Sequence, residues 1–288
     1  MELETTLEQE IYDRGEQGFK VYAKNMNASM QEKSKILAFV LPGNIVEFGC
    51  GNGAVLELLS AHFPESTVVG VDLSDTLLDM AEQRKYAGKV ILKKADIIKA
   101  KFPENTLNTA VFCSVLHEVY SYSGYDRSAV RAGLKNAYDS LKPGGRLIIR
   151  DGVKPKNDLV GLSFKNEEVL QKFYRFAKDF GPYQIPYKKE GDIVKLRRAD
   201  CMEFLTKYIY DVNWDIEVKE HFGFWSMNEY ANELEKLGFR VVYKQSYLID
   251  WLRMTHYEKN FVLFKESGGK LVPQPFPDST MILVAEKP

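Results

Sequence analysis

The chain has 288 residues and a formal net charge of −1, with hydrophobic and charged residues at 45% and 27%. These fractions are those of an ordinary soluble globule, and the near-zero charge provides no global field that would attract nucleic acid or an anionic membrane. Its three cysteines form no Cys-x-x-Cys pair, which excludes a zinc knuckle or a disulfide framework and suits a reducing compartment. The acidic N-terminus and the lack of a long apolar run predict a cytoplasmic protein without a secretory signal or a membrane span.

The first segment, residues 1–40, is predicted to be an N-terminal helical cover. Residues 7–40 have a helical pattern that ends at Leu41-Pro42-Gly43, and the stretch containing Tyr12, Phe19 and Tyr22 is aromatic and amphipathic. Such a helix would cover an edge of the core.

Residues 41–151 alternate short apolar strands with helical stretches. Helices are predicted at 54–62, 75–86 and 127–141, with Ser74 as a candidate N-cap for the second. The strands are predicted near residues 45–48, 68–72, 90–97, 107–113 and 147–150. This alternation predicts parallel strands with helices on both faces of the sheet.

The pattern changes after Asp151. Residues 152–225 are richer in aromatic and basic residues, show no clear strand and contain two predicted helices, at 166–180 and 198–210. We interpret them as a helical insertion. The core resumes at 226–288, with a helix from 226 to 237 and strands near 239–243 and 280–285. The fold class is therefore predicted as α/β, with a seven-stranded, mostly parallel, Rossmann-like sheet whose last strand is antiparallel.

The most informative motif is the run Glu47-Phe48-Gly49-Cys50-Gly51-Asn52-Gly53, followed by Asp72 at the tip of the next strand. Glycine allows sharp turns and close approach of a ligand to the backbone. Asp72 is placed to accept hydrogen bonds from ribose hydroxyls. A dinucleotide fingerprint reads G-x-G-x-x-G, whereas the spacing here is G-x-G-x-G and the carboxylate of Glu47 would repel a pyrophosphate but attract a cation.

This run resembles the first motif of the class I S-adenosylmethionine-dependent methyltransferases. Four further segments match that family in the expected order: Val68–Ser74, Val90–Ile97, Leu107–Glu118 and Leu141–Asp151. The resemblance covers residues 41–151 with specific motifs. It implies S-adenosyl-L-methionine as cofactor, S-adenosyl-L-homocysteine as product, and an N-terminal helix that folds over the cofactor as a lid, an alternative to a simple cover.

The resemblance also implies a cofactor-binding set. Asp72 would hold the ribose and Asp96 the adenine amine, although an Asp after a strand also serves as a helix N-terminal or turn residue. The whole set is Glu47, Phe48, Gly49, Cys50, Gly51, Gly53, Asp72, Leu73, Asp96, Ile97, Ser114 and His117.

His117 and Asp151 are the catalytic candidates. Methyl transfer is an in-line displacement that requires positioning and, for a protonated acceptor, a base. Both residues are predicted at the carboxyl ends of adjacent strands, and His117 could act as a base near neutral pH. His-Glu after strand four also occurs in the family without a catalytic role.

The insertion is expected to act as an acceptor-binding lid. Five tyrosines are candidates for the acceptor pocket or for simple packing, namely Tyr120, Tyr122, Tyr125, Tyr183 and Tyr187. The first three are predicted in the loop after strand four.

Two insertion motifs remain ambiguous. Glu217, Glu220 and His221 would share one helical face and resemble the metal box of small-RNA methyltransferases, but they lie about a hundred residues from its expected place, so we predict a solvated helix face and no metal. Lys188, Lys189, Lys195, Arg197 and Arg198 could bind an anionic acceptor or RNA, but interspersed acids favour a mixed solvated surface.

The predicted function is methyl transfer to an oxygen, nitrogen or carbon atom of a small-molecule acceptor. An RNA methyltransferase and a non-catalytic methyltransferase-like partner subunit are the alternatives. The sequence does not specify the acceptor or the oligomeric state.

Overall fold

The computed structural model describes residues 15–288, so Tyr12 and the first part of the predicted N-terminal cover lie outside the described residues. The chain forms two compact units. The first contains the described residues up to Asp151 together with 227–245 and 282–288, and the second contains 152–226 and 246–281. Among residues 15–288, no helix combines the length and apolar character needed to cross a membrane.

The first unit contains a seven-stranded sheet. Its strands are β1 Asn44–Phe48, β2 Thr67–Asp72, β3 Lys89–Lys94, β4 Leu107–Cys113, β5 Leu141–Gly152, β9 Arg240–Tyr247 and β12 Thr280–Glu286. They lie in the order β3-β2-β1-β4-β5-β12-β9, and pairing is parallel between β1 and β2, β2 and β3, β1 and β4, and β4 and β5. The predicted Rossmann-like, mostly parallel sheet is confirmed.

Helices accompany these strands, and all except Leu116–Tyr122 lie in segments predicted to be helical. They are α1 Gly15–Ala28, α2 Met30–Lys33, a 3-10 turn Ser34–Phe39, α3 Ala54–His62, α4 Asp75–Glu82, α5 Leu116–Tyr122, α6 Arg127–Ser140 and α10 Met227–Lys236. The hydroxyl of Ser74 caps α4 by accepting from the backbone N–H of Leu77 at 3.1 Å. Apolar side chains such as Phe48, Leu56, Phe112 and Leu147 are fully buried and form the core.

The second unit is built on a five-stranded antiparallel sheet. Its strands are β6 Leu159–Phe164, β7 Tyr187–Glu190, β8 Ile193–Arg197, β10 Phe261–Ser267 and β11 Lys270–Gln274. They lie in the order β11-β10-β6-β8-β7. Its helices are α7 Glu167–Asp179, α8 Arg198–Lys207, α9 Trp214–Glu217 and two three-residue turns, α11 Asp250–Leu252 and α12 Glu258–Asn260, which flank a π turn at Arg253–Tyr257. Phe173, Phe176, Phe204 and Phe261 form its buried aromatic centre.

The expectation of an insertion made only of helices is wrong. The two predicted helices are present as α7 and α8, but residues 152–225 also contain β6, β7 and β8. β7 is short and fully exposed, and β6 pairs with β10 about a hundred residues later. A strand whose partner is so distant has no local pattern that reveals it. Residues 246–281, which we assigned to the core, belong to this second unit.

Candidate active site

The glycine loop follows β1 directly and turns sharply. Gly49, Gly51 and Gly53 have φ values of +75°, +51° and +76°, a region that side-chain-bearing residues rarely adopt. The backbone N–H groups of Gly49 and Cys50 both donate to the carbonyl oxygen of Val71, at 2.7 and 3.0 Å. The loop is thereby held against the end of β2.

The space above the loop is closely filled. A Cβ on Gly51 would lie 2.3 Å from Cε of Met26 in α1, and a Cβ on Gly49 would lie 2.3 Å from Cγ2 of Val115. A helix from the N-terminal segment therefore packs directly over the loop.

Asp72 connects the loop to α4. Its Oδ2 atom accepts from the Gly51 N–H at 2.7 Å, and its Oδ1 atom accepts from the Ser74 N–H at 2.9 Å. Burial raises the pKa of Asp72, while the backbone N–H groups of Ser74 and Gly51 oppose the rise. Leu73 beside it is half-buried. This carboxylate orders the loop, and its contact with a ribose stays a prediction.

Glu47 is a buried acid without a complete set of partners. Its side chain is 2% exposed, and its Oε2 atom has no hydrogen-bond partner. Burial raises the pKa of Glu47 well above its ordinary value, the Lys33 charge counteracts this, and the Asp72 charge adds to the rise. An unpaired buried carboxylate is costly, so its retention beside the loop points to a ligand donor.

Two members of the predicted cofactor set point into the core. The ring of Phe48 stacks on Phe112 with centroids 4.8 Å apart, and the Cys50 thiol is buried against β2 near Gly70. Both side chains are buried and belong to the packing of the core. Burial also raises the pKa of the Cys50 thiol.

Asp96 lies in a turn after β3. Its Oδ1 atom accepts from the Ile98 N–H at 2.9 Å, and its Oδ2 atom lies 3.9 Å from the Lys99 ammonium. Ile97 is buried against Gly133 of α6. The turn interpretation of Asp96 therefore has direct support, and the adenine contact stays a prediction.

His117 and Asp151 lie in direct contact. Nδ1 of His117 is 2.6 Å from Oδ1 of Asp151, and Oδ2 of Asp151 accepts from the Leu116 N–H at 2.7 Å. Both side chains are buried. The carboxylate fixes the orientation of the imidazole and the start of α5, as expected of a base held in one tautomer.

Ser114 lies one turn before this pair in a strained conformation. Its φ is +60°, its N–H donates to the Arg150 carbonyl oxygen at 2.7 Å, and its hydroxyl accepts from the Arg150 guanidinium at 2.8 Å. Non-glycine residues with this φ concentrate at functional sites.

The predicted tyrosine set divides between the two units. Tyr120 and Tyr122 lie in α5, so the predicted loop after β4 is wrong at these positions, and Tyr125 packs on Tyr120 with ring centroids 5.8 Å apart. In the second unit the Tyr183 hydroxyl donates to Asp200 at 2.8 Å, and Tyr187 packs against Phe173. All five tyrosines keep at least partial exposure.

The Glu217, Glu220 and His221 motif does not share one helical face. α9 ends at Glu217, and the side chains of Glu217 and Glu220 are buried, so the expected solvated face is wrong. The ring of His221 instead packs on Tyr183, and its Nε2 atom lies 3.8 Å from Oε1 of Glu203.

Three of the five basic residues singled out in the second unit are paired with acids. Lys188 and Lys195 contact Glu190 at 2.8 and 2.7 Å, and Arg198 makes a two-point contact with Asp158 at 2.7 and 2.9 Å. The mixed-surface interpretation of this segment is therefore supported over an RNA-binding surface.

Sequence reasoning missed two residues around the loop. Arg84 donates to the side chain of Asn27 at 2.6 Å and to the backbone carbonyl of Asn52, which connects α1, the glycine loop and α4. Lys33 in α2 is 6% exposed. The sequence carries no signal for Lys33, because lysines are usually exposed and only packing shows that this one is buried.

Comparison with known proteins agrees with this geometry. Residues 46–149 match the family described as methyltransferase domain. The chain is 30% identical over 119 residues to the ubiquinone/menaquinone biosynthesis C-methyltransferase UbiE of Desulfotalea psychrophila, covering 41% of this chain and 45% of that protein. It is 26% identical over 165 residues to the demethylmenaquinone methyltransferase of Symbiobacterium thermophilum, covering 54% and 62%.

A solved S-adenosylmethionine-dependent methyltransferase from Mesorhizobium loti has the same fold, with a TM-score of 0.56, 15% identity and coverage of 89% of this chain and 96% of that one. Residues 46–149 are thus similar to a methyltransferase domain, and the chain shares its fold with a solved methyltransferase. The chain spans about half the length of the two curated relatives it matches.

The residues around the glycine loop fit the cofactor that the resemblance to methyltransferases implies. S-adenosylmethionine has cationic groups at its methionine end and no phosphate, and the glycine loop offers the orphaned carboxylate of Glu47 rather than a phosphate-binding nest. Asp72 and the left-handed glycines allow a nucleoside to approach the backbone.

Proposed function

We propose that the protein transfers a methyl group from S-adenosylmethionine to an oxygen, nitrogen or carbon atom of a small molecule. The single observation that carries this proposal is the orphaned, buried Oε2 of Glu47 beside three left-handed glycines. A cationic, phosphate-free nucleoside satisfies that carboxylate, whereas a dinucleotide does not.

His117 is the proposed general base. Bound S-adenosylmethionine supplies the electrophilic methyl group, and the chain's own residues prepare the acceptor. Asp151 accepts from Nδ1 of His117, which leaves Nε2 as the atom that removes a proton from the acceptor. The developing imidazolium is then stabilised by the buried carboxylate.

Helix α1 is the proposed cover of the cofactor. Met26 lies over Gly51, Asn27 is held by Arg84, and the Tyr22 hydroxyl donates to Glu118 at 2.9 Å. A helix attached at three points can exclude water from the donor and still release it by breaking surface contacts.

The second unit is the proposed source of acceptor selectivity. Its partly exposed Tyr183 and Tyr187 offer apolar area and a hydroxyl, which suits a small organic acceptor. Pairing of Lys188, Lys195 and Arg198 with acids reduces the positive charge that would be available to RNA. One curated relative is named for ubiquinone/menaquinone biosynthesis and the other as a demethylmenaquinone methyltransferase, which also favours a small-molecule acceptor. The three buried free cysteines support a reducing, cytoplasmic location.

Two measurements on the full chain test the proposal. Calorimetry with S-adenosylhomocysteine should show one binding site, and the affinity should fall in Asp72→Ala by at most a few kcal/mol, consistent with loss of charge-assisted hydrogen bonds. Asp75→Ala is the matched control, because this neighbouring carboxylate is exposed and pairs with Lys94.

The second measurement is transfer of a labelled methyl group into a cell extract that is separated into small-molecule, RNA and protein fractions. Label in the small-molecule fraction supports the proposal and provides the acceptor for identification. Label confined to the RNA fraction contradicts the proposal that the acceptor is a small molecule. Absence of cofactor binding contradicts the whole proposal.

A further inference from the structure

Lys33 is a buried cation beside the glycine loop with an incomplete set of partners. It is the last residue of α2 and is 6% exposed. Its Nζ donates to the carbonyl oxygen of Met26 at 3.5 Å, which is a long contact. Among residues 15–288, no acid lies within ion-pair distance of this ammonium. A buried lysine normally has a partner anion.

The surroundings locate this charge at the carboxyl edge of the sheet. Met26, which accepts from Lys33, packs on Gly51 of the loop. Burial raises the pKa of Glu47 in β1 and that of Cys113 at the end of β4. The Lys33 charge opposes this rise at both residues, after the larger effect of Arg150 at Cys113. These strands are neighbours, since Phe48 pairs with Phe112.

A buried cation and a buried anion therefore lie near the same loop without forming an ion pair. Glu47 retains an orphaned Oε2, and Lys33 retains unused donors. A basic and an acidic group beside the same loop complement the zwitterion of an α-amino acid, whose ammonium and carboxylate are attached to one carbon.

We propose that Lys33 binds the carboxylate of the cofactor's methionine end, while Glu47 accepts from the ammonium group of the same end. This inference rests on the proposed function, because it assigns a further contact to the same cofactor. Through Lys33, α2 would make the site selective for a nucleoside that carries an amino-acid end over a nucleoside that lacks one.

Three ligands separate the two contacts. S-adenosylhomocysteine has both charged groups, its decarboxylated form has only the ammonium, and 5′-methylthioadenosine has neither. Calorimetry should show that Lys33→Gln lowers the affinity for S-adenosylhomocysteine about ten- to a hundredfold, which is the range for a lost charge-assisted hydrogen bond. The affinity for the other two ligands should not change. Glu47→Gln should lower the affinity for S-adenosylhomocysteine and for its decarboxylated form, and it should leave the affinity for 5′-methylthioadenosine unchanged.

Matched variants control for folding. Lys35→Gln removes an exposed lysine that pairs with Glu32 and should change no affinity, whereas Lys33→Arg should restore most of the binding. Equal losses for all three ligands in Lys33→Gln, or no loss at all, would overturn the assignment of Lys33. If the wild-type chain binds none of the three ligands, the proposed function fails as well.

Discussion

The imidazole of His117 is held by the carboxylate of Asp151, with Nδ1 and Oδ1 2.6 Å apart, although the residues are 34 positions apart in the sequence. The contact joins the start of α5 to the end of β5. Oδ2 of the same carboxylate accepts from the backbone N–H of Leu116, so one buried acid fixes both the ring and the helix that carries it.

Replacing His117 should separate catalysis from cofactor binding. We expect His117→Gln to lower single-turnover methyl transfer about 10² to 10⁴-fold, the usual contribution of a general base, with little change in affinity for S-adenosylhomocysteine. Wild-type rates should rise with pH as the imidazole deprotonates, and the variant should lose this rise. Unchanged rates and an unchanged pH profile would assign the pair a purely structural role.

The glycine loop offers a comparison between two glycines of similar conformation. Gly51 and Gly144 both have positive φ, at +51° and +75°, but a Cβ on Gly51 meets Met26 whereas a Cβ on Gly144 has no neighbour within 4 Å. Both alanine variants should lose about 1–2 kcal/mol of stability to backbone strain, since the Met26 methyl can move.

Only Gly51→Ala should lose cofactor binding, by about tenfold or more, because its methyl group enters the space above the loop. Denaturation and calorimetry on the two variants measure both effects. Equal affinity in Gly51→Ala and Gly144→Ala would remove Gly51 from the cofactor site.

Glu47 should make stability depend on pH. Its pKa is raised mainly by burial, so over a range above the ordinary Glu value near 4.3 the folded protein holds a proton that the unfolded chain releases. This contribution to stability is complete below the ordinary pKa and is lost as the pH rises through the raised one. Relative to Glu47→Gln, the wild-type protein should therefore lose unfolding free energy from pH 4 upward.

Parallel denaturant titrations of the two proteins, in the absence of cofactor, measure this difference. A constant difference between pH 4 and pH 9 would contradict the raised pKa. A difference that grows in the opposite direction would mean that Lys33 outweighs burial at this site.

Local pattern was enough to predict the methyltransferase core. The strands and helices between residues 44 and 151 are signalled by apolar runs, glycine turns and a cap such as Ser74, all of which act over a few residues. The meeting of His117 and Asp151 also followed, because the carboxyl ends of adjacent parallel strands lie together.

The remainder depends on contacts between distant segments. The antiparallel sheet of the second unit pairs β6 with β10, and no periodicity within either strand identifies the other. Lys33 and Arg84 look like ordinary helix-surface residues, and only packing shows that one is buried and that the other bonds to α1.

The second unit contains a buried ion pair whose disruption should be severe. Nζ of Lys207 lies 2.6 Å from Oε2 of Glu203, both side chains are almost fully buried, and Glu203 also accepts from the N–H groups of Phe222 and Gly223. Burial alone would raise the pKa of Glu203, but the Lys207 and His221 charges with these hydrogen bonds hold it below the ordinary value. Lys207→Met should cost about 3–5 kcal/mol, because it leaves a buried carboxylate without its cation.

Fluorescence during denaturation measures this cost, since Trp214, Trp225 and Trp251 all lie in the second unit. Lys172→Met is the control, as it removes surface pairs with Glu168, at the same four-residue spacing, and with Asp211 in the same unit, and it should cost less than about 1 kcal/mol. Adding Glu203→Gln to Lys207→Met should recover much of the loss, because the amide oxygen still accepts from Gly223 and no charge remains buried. A double variant as unstable as Lys207→Met alone would show that packing around the lysine stem, rather than the uncompensated carboxylate, determines the cost.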